Sequence, residues 1–221
     1  MPSAPPTWAS VHGDPVTQPP PAPQPPPGPQ TEPPFEPLTR MQVLAAMGVT
    51  AVVLLLISKA WLYFDPAELM PLRLSWADGL LGAGLGLAIT LASGVIYRLW
   101  PAYRQSADTY LAMVLHPLQW PDLIWLGLLP GLSEELLFRG VMLPAIGMNA
   151  LGIAVSAASF GVLHLSSLQQ WTYVVWATAI GLVLAVGAVL TGNLLVPIVA
   201  HTVTNLLSSA VWKLRQQQTP A

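Results

Sequence analysis

The run Gly131-Leu132-Ser133-Glu134-Glu135-Leu136-Leu137-Phe138-Arg139-Gly140 sets two adjacent carboxylates and a guanidinium in surroundings otherwise fit for hydrocarbon. On a helix that turns about 100° per residue, Glu135 and Arg139 share one face at i and i+4 and can neutralise each other. Glu134 then points elsewhere and is the unpaired, reactive candidate. Two later stretches supply complementary groups. Phe160 and His164 stand one helical turn apart, as do His201 and Asn205. A carboxylate from one helix and imidazoles from two others could hold and deprotonate water, with or without a metal. Glu134, His164 and His201 would in principle suffice to ligate zinc. Asn205 could donate a hydrogen bond to a developing oxyanion. His12 and His116 lie outside the apolar runs and read as solvated or interfacial.

These groups are conspicuous because almost nothing else near them is charged. In the 90 residues from Leu123 to Trp212 the only Asp, Glu, Lys or Arg are Glu134, Glu135 and Arg139, where a soluble stretch of that length would carry about twenty charges. A charge at the bilayer centre costs about 2.5 to 3.5 kcal/mol on insertion scales, so the three must face the interior of a helix bundle. The whole chain of 221 residues is 53% hydrophobic and 8% charged, which excludes a water-soluble globule. Lys and Arg total 8 against 10 Asp and Glu, a formal net charge of -2. That balance leaves no basic footprint for nucleic acid. With no cysteine, disulfides, thiolate nucleophiles and Cys-ligated metals are excluded as well.

The elements that must position these residues are apolar runs of spanning length, about twenty residues each. Six are expected, at roughly 41–63, 77–97, 121–146, 149–167, 171–191 and 194–212, with an interfacial helix at 99–116. The fold class is therefore all-α, a polytopic membrane helix bundle. Residues 1–39 hold 15 of the 24 prolines and no Lys or Arg, and should form a disordered proline-rich tail. The division is a tail at 1–39, N-terminal membrane helices with the interfacial helix at 40–117, the core at 118–212 and a short polar tail at 213–221. Arg40, Arg98 with Arg104, and Lys213 with Arg215 fall on one side of six spans. The positive-inside rule then puts both termini in the cytoplasm, although Lys59 and Arg73 flank the opposite loop. Gly82 and Gly86 suit close helix packing, and Pro130 could break the third run above the acidic pair.

Glu134-Glu135-x-x-x-Arg139, Phe160-x-x-x-His164 and His201-x-x-x-Asn205, in this order on successive membrane segments, resemble the three motifs of the CPBP family, the CAAX proteases and bacteriocin-processing (Abi-type) enzymes. The resemblance covers roughly residues 118–212 and implies an intramembrane endopeptidase with a multi-helix core. It implies that Glu134 activates water with His164, that His201 and Asn205 position water or stabilise the oxyanion, and that Glu135 with Arg139 orders the site. Zinc and a metal-free glutamate mechanism are both compatible with it. Members of this family act on peptides or membrane proteins in the bilayer. The run from Pro130 to Gly140 looks most like cyanobacterial and chloroplast versions, which implies a bacterial inner or plasma membrane or a thylakoid.

Other chemistries fit less of the sequence. There is no HExxH helix and no membrane Asp pair. A Ser133–His201 serine mechanism would leave Glu134, Glu135 and His164 without a role. A proton-coupled carrier would use the same buried groups, but no inverted repeat is visible. The main alternative is a non-proteolytic scaffold or immunity protein that keeps the polar network for helix assembly.

Overall fold

The computed structural model describes residues 38–65 and 68–218, together with Met1 and Ser3. Apart from Met1, Ser3, Leu38 and Thr39, the proline-rich tail, His12 included, lies outside the described residues. Helix α1 is Arg40–Phe64, α2 Trp76–Leu99, α3 Pro101–Leu115 and α4 Asp122–Glu135. The chain then runs through a π-helical segment, Leu136–Met142, into a last helical turn, α5, Leu143–Ile146. Helix α6 is Ala150–Leu163, α7 Trp171–Thr191 after a 3₁₀ turn at Leu168–Gln170, and α8 Leu195–Gln218. The described residues contain helices and loops and no strand.

All six expected runs are helical, and α3 occupies the segment read as interfacial. Four helices, α1, α2, α7 with its leading turn, and α8, are long and apolar enough to cross a membrane. Their outward faces carry exposed apolar side chains such as Leu56, Leu80, Leu91 and Leu190, as expected where the surroundings are lipid rather than water. The other two runs differ from a plain span. The third bends through its π-helical segment. The fourth stops at Leu163, so α6 is 14 residues long and rises about 21 Å, short of a hydrocarbon core of about 30 Å. The polar end of the chain is a continuation of α8, which stays helical to Gln218.

Helix α8 is clasped between α2 and α4 by glycines. A Cβ on Gly82 would stand 2.7 Å from the Val196 carbonyl oxygen, and one on Gly86 2.6 Å from that of Ala200. Only hydrogen allows α2 to approach that closely. The Gly82-x-x-x-Gly86 pattern thus joins two helices of this chain. Gly131 of α4 likewise leaves room for the Thr202 side chain.

Polar clasps hold the two ends of the bundle. At one end Arg40 grips Asp122 through two bonds of 2.7 Å, and the Gln119 N–H donates to the same carboxylate at 2.7 Å. This joins the starts of α1 and α4. Lys213 of α8 donates to the Leu118 carbonyl at that end. At the other end buried Asn193 accepts from the Arg73 N–H at 2.9 Å and donates to Asp78 at 2.8 Å, tying the α1–α2 loop to the α7–α8 turn. Asp122 and Arg40 therefore act as a bidentate pair.

Candidate active site

The third run carries the acidic pair to the centre of the bundle, and two prolines shape it. Pro130 has no N–H, so the Leu126 carbonyl four residues earlier loses its helical donor. The Asn205 side-chain amide reaches across from α8 and donates to it at 3.4 Å. Pro144 frees the Gly140 carbonyl in the same way, and the Met70 N–H takes it at 3.0 Å. Between the prolines the helix widens into its π-helical segment, where Ser156 of α6 donates to the Phe138 carbonyl at 2.9 Å. Such insertions recur at functional sites because they re-aim side chains.

Glu135 and Arg139 are fully buried. Arg139 Nη1 donates to Glu135 Oε1 at 2.8 Å and Nη2 to the Gly181 carbonyl of α7 at 2.8 Å. The expected ion pair is present despite the wider helix. His201 of α8 brings Nδ1 to the same Glu135 Oε1 at 2.7 Å. The Phe160 ring lies 4.5 Å below the guanidinium carbon and edge-on to His201, with centroids 5.4 Å apart. Glu135, Arg139, His201 and Phe160 are thus a single buried cluster joining the acidic run with α6, α7 and α8. The arrangement compensates charges that would otherwise be expensive to bury.

Glu134 faces the other way, as the spacing predicts. It is 6% exposed, and its Oε2 has no hydrogen-bond partner. It lines a cavity of about 450 Å³ whose wall also holds His164, Asn205, Ser133, Tyr110 and Tyr173. His164 caps the C-terminus of α6. The last turn tightens, so the His164 N–H bonds the Gly161 carbonyl and the Phe160 carbonyl is left over. His164 Nδ1 covers that carbonyl at 2.9 Å. A carbonyl can only accept, so Nδ1 carries the hydrogen and Nε2 keeps a free lone pair. Because α6 is short, His164 stands where non-helical backbone is tolerated at membrane depth only beside a cavity or inside protein.

The seven motif residues therefore divide in two. Glu134, His164 and Asn205 line the cavity, whereas His201, Glu135, Arg139 and Phe160 form the cluster beside it. His201, expected at the water or the oxyanion, bonds the ordering pair through Glu135. Asn205 commits one of its two amide hydrogens to Leu126. Among the described residues no three His, Cys, Asp or Glu are gathered so as to hold a metal ion. Two wall residues were not singled out from sequence, Tyr110 of α3 and Tyr173 of α7. Their rings stack with centroids 4.4 Å apart, and each lies 6.3 Å from the His164 ring. Burial, and next the charge of Glu134, push the Tyr110 phenol up to about 12, so its hydroxyl keeps its proton near neutrality. The signal was the placement of Tyr103 and Tyr110 seven residues apart on one face of the interfacial helix.

Residues 116–207 match the family model described as Rce1-like, type II CAAX prenyl endopeptidase Rce1-like. The uncharacterized protein YpbD of Bacillus subtilis (strain 168) is 27% identical over 134 residues, 61% of this chain and 66% of the relative. The match thus spans just under two thirds of that relative's length. No solved structure matches the chain. All seven motif residues fall inside the stretch that the family model matches, and over that stretch this helical membrane chain is similar to the Rce1-like CAAX prenyl endopeptidases.

Proposed function

We propose that the chain is an intramembrane endopeptidase that hydrolyses a peptide bond of a membrane-held peptide or protein, with Glu134 as general base. The observation that carries this reading is the unpaired carboxylate oxygen of Glu134 in the wall of a cavity it shares with His164. A water molecule there gives one hydrogen bond to Glu134 and one to His164 Nε2, whose lone pair is kept free by the bond from Nδ1 to Phe160. As the water oxygen bonds to the scissile carbonyl carbon, Glu134 takes its proton and the carbonyl electrons move to oxygen. Collapse of this tetrahedral species breaks the C–N bond, and the proton on Glu134 passes to the leaving amine. Glu135, Arg139 and His201 keep the acidic run, α7 and α8 in register so that Glu134 stays aimed at the cavity. The family description, a CAAX prenyl endopeptidase, supports the reaction class.

The test is terminal-mapping mass spectrometry of membranes that carry the wild type or Glu134→Gln, with thermal unfolding in detergent as the check on folding. New peptide termini in wild-type membranes alone, with both proteins equally folded, are the expected outcome. Identical termini with both folded would overturn proteolysis in favour of a scaffold that uses the buried cluster for assembly alone.

A further inference from the structure

Hydrolysis at Glu134 and His164 leaves the scissile carbonyl oxygen in need of hydrogen-bond donors, and several donors on the cavity wall are engaged within the protein. Asn205 Nδ2 commits one of its two hydrogens to the Leu126 carbonyl, and Ser133 Oγ donates to that of Leu129 at 2.7 Å. Thr204 Oγ1 donates to Ala200 at 2.8 Å, and Trp176 Nε1 to Ser93 Oγ at 3.0 Å. His201 lies beside Glu135 and away from this wall. Of the side chains in ring contact with His164, Phe160 has no donor. The other two are Tyr110 and Tyr173.

Neither of these hydroxyls has a hydrogen-bond partner within the protein among the described residues, yet both rings are held firmly. Tyr173 is stacked between Tyr110, at 4.4 Å and 23°, and Tyr103, at 6.2 Å and 9°. Two pre-positioned, uncommitted O–H groups beside an activated water are what an oxyanion requires. Folding alone does not account for them, since an unpartnered hydroxyl in a half-buried wall stabilises nothing.

We infer that Tyr110 and Tyr173 donate the hydrogen bonds that stabilise the carbonyl oxygen of the tetrahedral species. The inference rests on the proteolytic reading above. When water adds to the carbonyl carbon, the negative charge that gathers on oxygen is met by the two phenol hydrogens. Both tyrosines stay protonated throughout, and the only proton moved is the one Glu134 takes from water and returns to the amine. Helix α3, which lies outside the stretch shared with the family model, thereby supplies half of this donor pair.

The experiment follows the rate at which Glu134-dependent peptide termini appear in native membranes carrying the full chain. Wild type, Glu134→Gln, Tyr110→Phe, Tyr173→Phe and Tyr103→Phe are compared, and each protein is also melted in detergent. Removal of one oxyanion donor lowers the rate by about 10²- to 10³-fold in other enzymes. A loss of at least about tenfold is expected for Tyr110→Phe and for Tyr173→Phe, with melting temperatures equal to or above wild type because no internal bond is lost. Tyr103→Phe, in the same stack but not in contact with His164, should keep wild-type rates. Wild-type rates in both Tyr110→Phe and Tyr173→Phe, or an equal loss in Tyr103→Phe, would overturn the donor role while Glu134-dependent cleavage stands. Absence of any Glu134-dependent terminus would remove the proteolytic reading, and the donor role with it.

Discussion

Adjacent glutamates do opposite work here because a helix sends neighbours to different faces. Glu135 binds a guanidinium and an imidazole through Oε1 in full burial, while the Glu134 carboxylate lines the cavity with no such partner. Loss of one member of a buried ion cluster strands the others, a cost of roughly 3 to 5 kcal/mol. Arg139→Gln should therefore lower the melting temperature sharply in detergent, whereas Glu134→Gln should melt close to wild type. Equal melting of the two variants would contradict this division of labour. The division could be read from the i, i+4 spacing of Glu135 and Arg139 and from the absence of any other charge over 90 residues. The partner of His201 could not be read, because it depends on how far α8 is rotated against the acidic run. Nor could the bond between Asn205 and Leu126, which exists because a proline four residues further along α4 withholds an N–H.

The elements owe their placement to small residues and missing donors. Apolar length located the six membrane runs, since a backbone in lipid must satisfy its polar groups internally. Two departures from regular helix were harder to see. The π-helical segment lies between Pro130 and Pro144, and both carbonyls those prolines release are taken by groups distant in sequence. The early end of α6 arises where tight backbone bonds leave the Phe160 carbonyl to an imidazole, a choice no apolar pattern records. Close approach of α2 to α8 is a stronger constraint than either. Gly86→Leu would drive a side chain into the Ala200 carbonyl, one residue before His201. Overpacking of this kind costs about 1 to 3 kcal/mol or more. The expected result is a lower melting temperature together with loss of any Glu134-dependent cleavage. Unchanged melting would show that α2 does not hold α8.

At the scale of the whole molecule, the polar clasps sort the loops between two ends. Arg40 with Asp122 and Lys213 with Leu118 lie at one end, and Arg73 with Asn193 at the other. Together with the basic residues, this arrangement leads us to propose an even number of crossings with both ends of the helical bundle facing the cytoplasm. The chain has no cysteine, so a single introduced thiol is an unambiguous probe. Gln217→Cys should react with a membrane-impermeant maleimide only from the cytoplasmic face, and Leu74→Cys only from the opposite face. Labelling of both from one face would contradict the proposed orientation.

The central claim is that Glu134 activates water for peptide hydrolysis, and the most direct measurement uses the purified full chain in liposomes together with a peptide recovered by terminal mapping. Wild type, Glu134→Gln and His164→Gln would be compared in water enriched in ¹⁸O, with each protein first shown to be folded by its melting curve. The account predicts cleavage by the wild type with one ¹⁸O in the new C-terminal carboxylate, and a loss of several orders of magnitude in both variants. Wild-type cleavage by folded Glu134→Gln would contradict it.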